Sequence, residues 1–189
     1  MMNASAIPFF SAVAVFLVAL TATAAHFYRR RPKSKSPYGN WESLLARFTS
    51  VDRESITLIA LDLVDESGDP RHGGDDIILD PSCISPLIGG LDGLEVLKRN
   101  CAVLIDLAFY VQQWYPEALV VAEQLRMNAR EIEWHIDRLR GAAKIGKLES
   151  VFPEYGQRVI ATYYLMTRHV LELYEIGNFP GLADLQRAL

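Results

Sequence analysis

At 189 residues, half of them hydrophobic, the chain has room for one domain of ordinary size and an accessory segment. The net charge of -4 hides an asymmetry: Arg29, Arg30, Arg31, Lys33 and Lys35 fall in the first 35 residues, which hold no acid, and the rest carries 14 basic against 23 acidic residues. An acidic body repels phosphate backbones, which argues against a nucleic-acid partner. Cys83 and Cys101 lack C-x-x-C spacing and suggest neither a zinc site nor a disulfide scaffold.

From Ala4 to Ala25 no residue is charged. As a helix these residues would rise about 33 Å, enough for a hydrocarbon core of about 30 Å. A signal peptide is the rival reading, because Ala22-Thr23-Ala24 resembles a cleavage site. Signal peptides, however, place their positive charge before the apolar core, and here it follows. We therefore read residues 1–28 as a single transmembrane anchor in the lipid bilayer. The basic cluster at 29–40 is its juxtamembrane linker, holding that side in the cytoplasm and leaving the N-terminus outside. Residues 41–189 then form a cytoplasmic helical bundle of about four to five helices, an all-α fold.

Asn40 caps a helix beginning at Trp41, whose Leu44, Leu45 and Phe48 share a face that either lies in the membrane interface or packs on the bundle. A second helix is expected from Ser50, as its cap, to Glu66. Ser67 to Asp80 is a loop of turn formers. It lacks the glycine spacing of a calcium loop, and its His72-Gly73-Gly74 has no G-x-S-x-G to serve. Asp80-Pro81 opens a short helix that Gly89-Gly90 ends, and Asp92 with Glu95 resembles a capping box for the next.

That next helix, Leu94 to Tyr115, is the expected centre of the bundle. Leu94, Leu97, Cys101, Leu104, Ala108, Val111 and Tyr115 recur at helical steps, and the other faces are apolar as well, with Asp106 the single charge between Cys101 and Val111. Such a helix must be covered on every side. Pro116 closes it, and Glu117 to Leu148 forms a long helix with a seam at Ala118, Leu125, Ile132 and Leu139. About half a turn away run Val120, Met127 and Trp134. A solvent face should not carry these side chains, so another segment of this chain, such as the 41–66 region, is expected to cover them, the alternative being a protein partner or a second copy of the chain. Pro153 to Ile176 is the last long helix, with Val159, Tyr163, Met166, Val170 and Leu173 inward, and a short helix closes the chain after Pro180.

Chemistry is sparse. Asp62 and Asp106 sit in apolar runs and read as structural acceptors. Glu131 with His135, and His169 with Glu172, are each one turn apart and form the best metal candidate. Their spacing matches no di-iron pattern, and ion pairing with Arg138 or Arg168 competes. No nucleotide, hydrolase or zinc motif is present, and no cofactor is implied. The sequence therefore suggests a membrane-anchored scaffold or accessory subunit working by protein–protein interaction. A metal-binding or enzymatic bundle using Glu131, His135, His169 and Glu172 is the alternative.

Overall fold

A computed structural model describes residues 40–65 and 79–189, together with Leu17 and Thr21. The expected span at 4–25, the basic linker before Asn40 and the loop residues 66–78 lie outside the described residues, apart from two positions. Leu17 and Thr21 are helical and exposed, and the Thr21 hydroxyl donates to the Leu17 carbonyl one turn earlier. Among the described residues no helix is long and apolar enough to cross a membrane. The chain divides into two units after Pro37, and the helices below all belong to the second.

Seven helices are present among the described residues: α1 Trp41–Leu45, α2 Arg53–Leu63, α3 Pro81–Ile88, α4 Gly90–Gln112, α5 Ala118–Lys144, α6 Leu148–Ile176 and α7 Leu182–Ala188. The fold is an all-α bundle, with more helices than the four to five expected because short capped pieces flank three long ones. The local start signals explain most boundaries. The Asn40 side chain accepts from the Ser43 amide, and Asp80 accepts from the Ser82 amide with Pro81 at the first helical position. Gly89 takes the left-handed conformation at φ 80° to stop α3.

Other boundaries differ from expectation. Asp52 rather than Ser50 caps α2, because its carboxylate reaches the Glu54 and Ser55 amides and accepts from the Ser55 hydroxyl at 2.7 Å. These hydrogen bonds, the Ser55 hydroxyl first, hold that carboxyl below its ordinary range. The capping box at Asp92 and Glu95 does not form. Gly89 and Gly90 are both left-handed and turn the chain straight into α4, so Asp92 is already in the first turn, and Glu95 pairs with Arg140 at 2.5 Å. The long helix α5 ends at Lys144, where Gly146 at φ 70° lets the Lys147 amide donate back to the Ala142 carbonyl at 3.0 Å. Consequently α6 starts at Leu148, and Pro153 lies inside it rather than at its head.

The centre of the bundle is α6, not the 94–115 stretch. α6 packs against α2, α3, α4, α5 and α7. Val159, Tyr163, Met166, Val170 and Leu173 enter the main core as expected, while Ala161 packs with Ala60 of α2 and Val64 just past its end in a second cluster. Along α4, Leu94, Leu97, Cys101, Leu104, Ala108 and Val111 are buried, but Ala102 is exposed and Ile105, Phe109 and Tyr110 are half-buried. Its outer flank is tempered by charge rather than by another long helix. Arg47 donates to Asp106 at 2.7 Å, and the Arg126 guanidinium lies 5.4 Å from the centre of the Phe109 ring. Both expected carboxylate acceptors are therefore structural, since the buried Asp62 accepts from Gln157 at 2.9 Å and so ties α2 to α6.

One buried polar group joins three segments. Asn100 on α4 accepts from the Thr49 amide at 3.0 Å and donates to the Thr49 carbonyl at 2.8 Å, closing both backbone groups of the α1–α2 connection. Its amide also donates to the Tyr163 hydroxyl on α6 at 3.4 Å. A buried group left without its partner costs about 1–3 kcal/mol. Asn100→Ala is therefore expected to destabilise the fold by about 2–3 kcal/mol in urea unfolding. Asn100→Leu, of similar volume, should lose as much, which separates the hydrogen bonds from packing; a loss under about 0.5 kcal/mol in both would contradict this role.

Candidate functional site

The two faces of α5 behave differently. Ala118, Leu125, Ile132 and Leu139 are fully buried against the rest of the bundle. The opposite row is not covered: Val120 is 75 % exposed, Met127 64 % and Trp134 50 %. The expected cover by the 41–66 region does not occur, because α1 lies on α4 and α2 lies on α6 and α3. Trp134 keeps part of its ring against the chain, edge-on to Tyr155 at 6.1 Å and with the Arg138 guanidinium 4.7 Å from its ring centre. That geometry holds the indole in place while half of it meets solvent.

The four metal candidates do not gather. His135 is buried, 3.6 Å from the exposed Glu131 carboxylate and beside the Tyr155 ring of α6. His169 lies fourteen residues beyond Tyr155 on that helix, about 21 Å along its axis. Among the described residues no group of three or more His, Cys, Asp or Glu is placed to hold a metal ion. Two arginines near these glutamates lie over aromatic rings, Arg138 over Trp134 and Arg168 over Tyr164 at 5.9 Å. Cys101 is no better placed for chemistry, since burial pushes its thiol up to about 12 and removes the thiolate at neutral pH.

A site that sequence patterning did not bring out lies elsewhere. Trp41 at the head of α1, Tyr110 and Trp114 at the end of α4, and Tyr174 and Phe179 at the end of α6 surround a cleft of about 580 Å³. Adjacent rings meet at steep angles: Tyr110 and Trp114 at 75° with centroids 5.0 Å apart, Tyr174 and Phe179 at 73° and 5.7 Å. Trp41 leans on Tyr174 at 5.3 Å. Gly181 takes φ 96°, and a Cβ there would come within 2.6 Å of the Trp41 ring, so the closing turn needs glycine for conformation and for space. The Tyr174 hydroxyl donates to the Leu107 carbonyl at 3.2 Å and burial raises its pKa, so it is a fixed wall rather than an acid. The i, i+4 spacing of Tyr110 and Trp114 is the one local signal of this cleft; its other rings come from distant segments.

Burial lowers the His135 pKa from 6.5, against a smaller raising effect of Glu131. The imidazole is thus neutral in the fold, while the unfolded chain takes up a proton first as pH falls. Stability should therefore be complete above pH 6.5 and decline below it. Thermal unfolding of wild type and His135→Phe between pH 7.5 and 5 checks this, with the wild-type decline expected to be the steeper; parallel declines would show that His135 contributes nothing. No protein-family model, curated protein or solved structure matches this chain.

Proposed function

We propose that this chain is a membrane-anchored scaffold or accessory subunit whose helical bundle binds another protein through the outer face of α5. One observation carries the reading: Val120, Met127 and Trp134, spaced by sevens, form an exposed apolar row on a helix whose opposite seam is fully buried. Exposed rows of this kind on a helix otherwise rich in charges of both signs favour protein contact over solvent. The charge-free stretch at 4–25, followed by five basic residues, supports an anchor with the bundle on the cytoplasmic side. The alternative metal-binding or enzymatic bundle has less support, because its four residues lie at separate places along α5 and α6.

Met127 is the position of choice for a test, because no part of the bundle covers it. A photoreactive methionine analogue at Met127 in intact cells should give one recurrent cross-linked partner, or a second copy of the chain. Met127→Glu is expected to change stability by less than about 0.5 kcal/mol while reducing that association at least tenfold. Trp134→Glu should act in the same direction with a larger stability cost, because part of its ring packs on Tyr155. Unchanged association in both variants would remove this face from the interaction.

A further inference from the structure

We propose that the aromatic cleft between α1, α4 and the end of α6 is a binding site for a quaternary ammonium group. The proposal is independent of the α5 face and rests on the shape and charge of the cleft.

An apolar ligand would ask only for greasy walls. This cleft offers something narrower. Trp41, Tyr110, Trp114, Tyr174 and Phe179 supply aromatic rings inclined to one another, at 75° for Tyr110 with Trp114 and 73° for Tyr174 with Phe179. Ring faces carry the negative end of the aromatic quadrupole and attract a desolvated cation, tryptophan most strongly. Two of the five rings are tryptophan, and Trp114 stands 61 % exposed at the mouth.

The charge that lines the cleft is negative. Among the described residues Asp184 is the single charged residue lining the cleft, and no lysine, arginine or histidine does so. The cleft lies at the C-terminal ends of α4 and α6, where the helix dipole is negative, and neither helix carries a basic residue in its last turn. Asp184 pairs with Arg187 one turn on, a pair between side chains 50 % and 78 % exposed. Exposed pairs of this kind hold their partners weakly, which leaves the carboxylate able to face an incoming cation. A fully methylated ammonium suits these walls better than a primary amine, because it has no N–H groups demanding acceptors that the rings cannot supply.

Such a group can come from a soluble molecule or from the choline headgroup of a lipid. The full chain in a maltoside detergent, which has no choline of its own, is titrated with choline while tryptophan fluorescence is followed. The parallel titration uses 3,3-dimethylbutanol, the neutral isostere. Saturable binding of choline is expected, with the isostere at least about fivefold weaker. Trp114→Ala should weaken choline by about five- to thirtyfold, and its exposure leaves folding intact. Asp184→Asn should weaken it in the same direction. With the full chain reconstituted into vesicles, a tryptophan fluorescence change in phosphatidylcholine over phosphatidylglycerol, lost in Trp114→Ala, identifies the headgroup as source. Indifference of the vesicle response to that variant, with choline binding in solution still weakened by it, identifies a soluble ligand. Equal binding of the neutral isostere, no saturable response to choline, or choline binding unchanged in Trp114→Ala would each overturn the proposal.

Discussion

The structure depends on α6 being buried on two sides at once. One side enters the main core with α4 and α5, and the other meets α2 through Ala161, Ala60 and Val64. Small residues at that second contact let the helix backbones approach, and the buried Asp62–Gln157 hydrogen bond fixes their register. A helix so enclosed sets the positions of its neighbours, and α3 and α7 also pack on it. Asn100 adds the one buried polar link that runs from α4 through the α1–α2 connection to Tyr163. Because both backbone groups of Thr49 are paired there, the chain before α2 is held against α4, and Trp41 is held where the aromatic cleft forms.

The same arrangement leaves α5 with a single buried face. Elements that might have covered its outer row are committed to α4 and α6, so Val120 and Met127 stay in solvent and Trp134 only half leaves it. The exposed row and the cleft thus have different origins. The first is what remains when α6 draws α2 to its own far side. The second is built where the ends of α4 and α6 meet the first and last segments of the bundle, with Gly181 allowing the closing turn to pass under Trp41.

Much of the helical frame was legible in periodicity and in end signals. Asn40, Asp80-Pro81, Gly89 and Gly177 mark boundaries through their own side chains or lack of them, and the seams of α4, α5 and α6 are buried as their spacing implies. The identity of the central helix was not legible. The stretch from Cys101 to Val111 is the more uniformly apolar, yet α6 is the more enclosed, because an alanine such as Ala161 carries little hydrophobic signal while permitting close contact with Ala60. The joint between α5 and α6 was misplaced for a related reason: Pro153 is a stronger local signal than Gly146, but the left-handed glycine is what turns the chain. The outer row of α5 was visible at its seven-residue spacing, whereas its lack of cover follows from where α1 and α2 dock. The cleft was hidden because its rings come from residues 41, 110–114 and 174–179, brought together by tertiary packing alone.

α5 presents a face that the bundle leaves open and that, as proposed above, a partner closes. Oxidative footprinting of methionines measures this directly, with Met166, fully buried on α6, as an internal reference against Met127. In the purified protein Met127 should oxidise far faster than Met166, and in membranes taken from cells the Met127 rate should fall toward that of Met166 while the reference stays unchanged. Equal Met127 oxidation in both settings would contradict a partner on this face, and slow Met127 oxidation in the purified protein would contradict the open face itself.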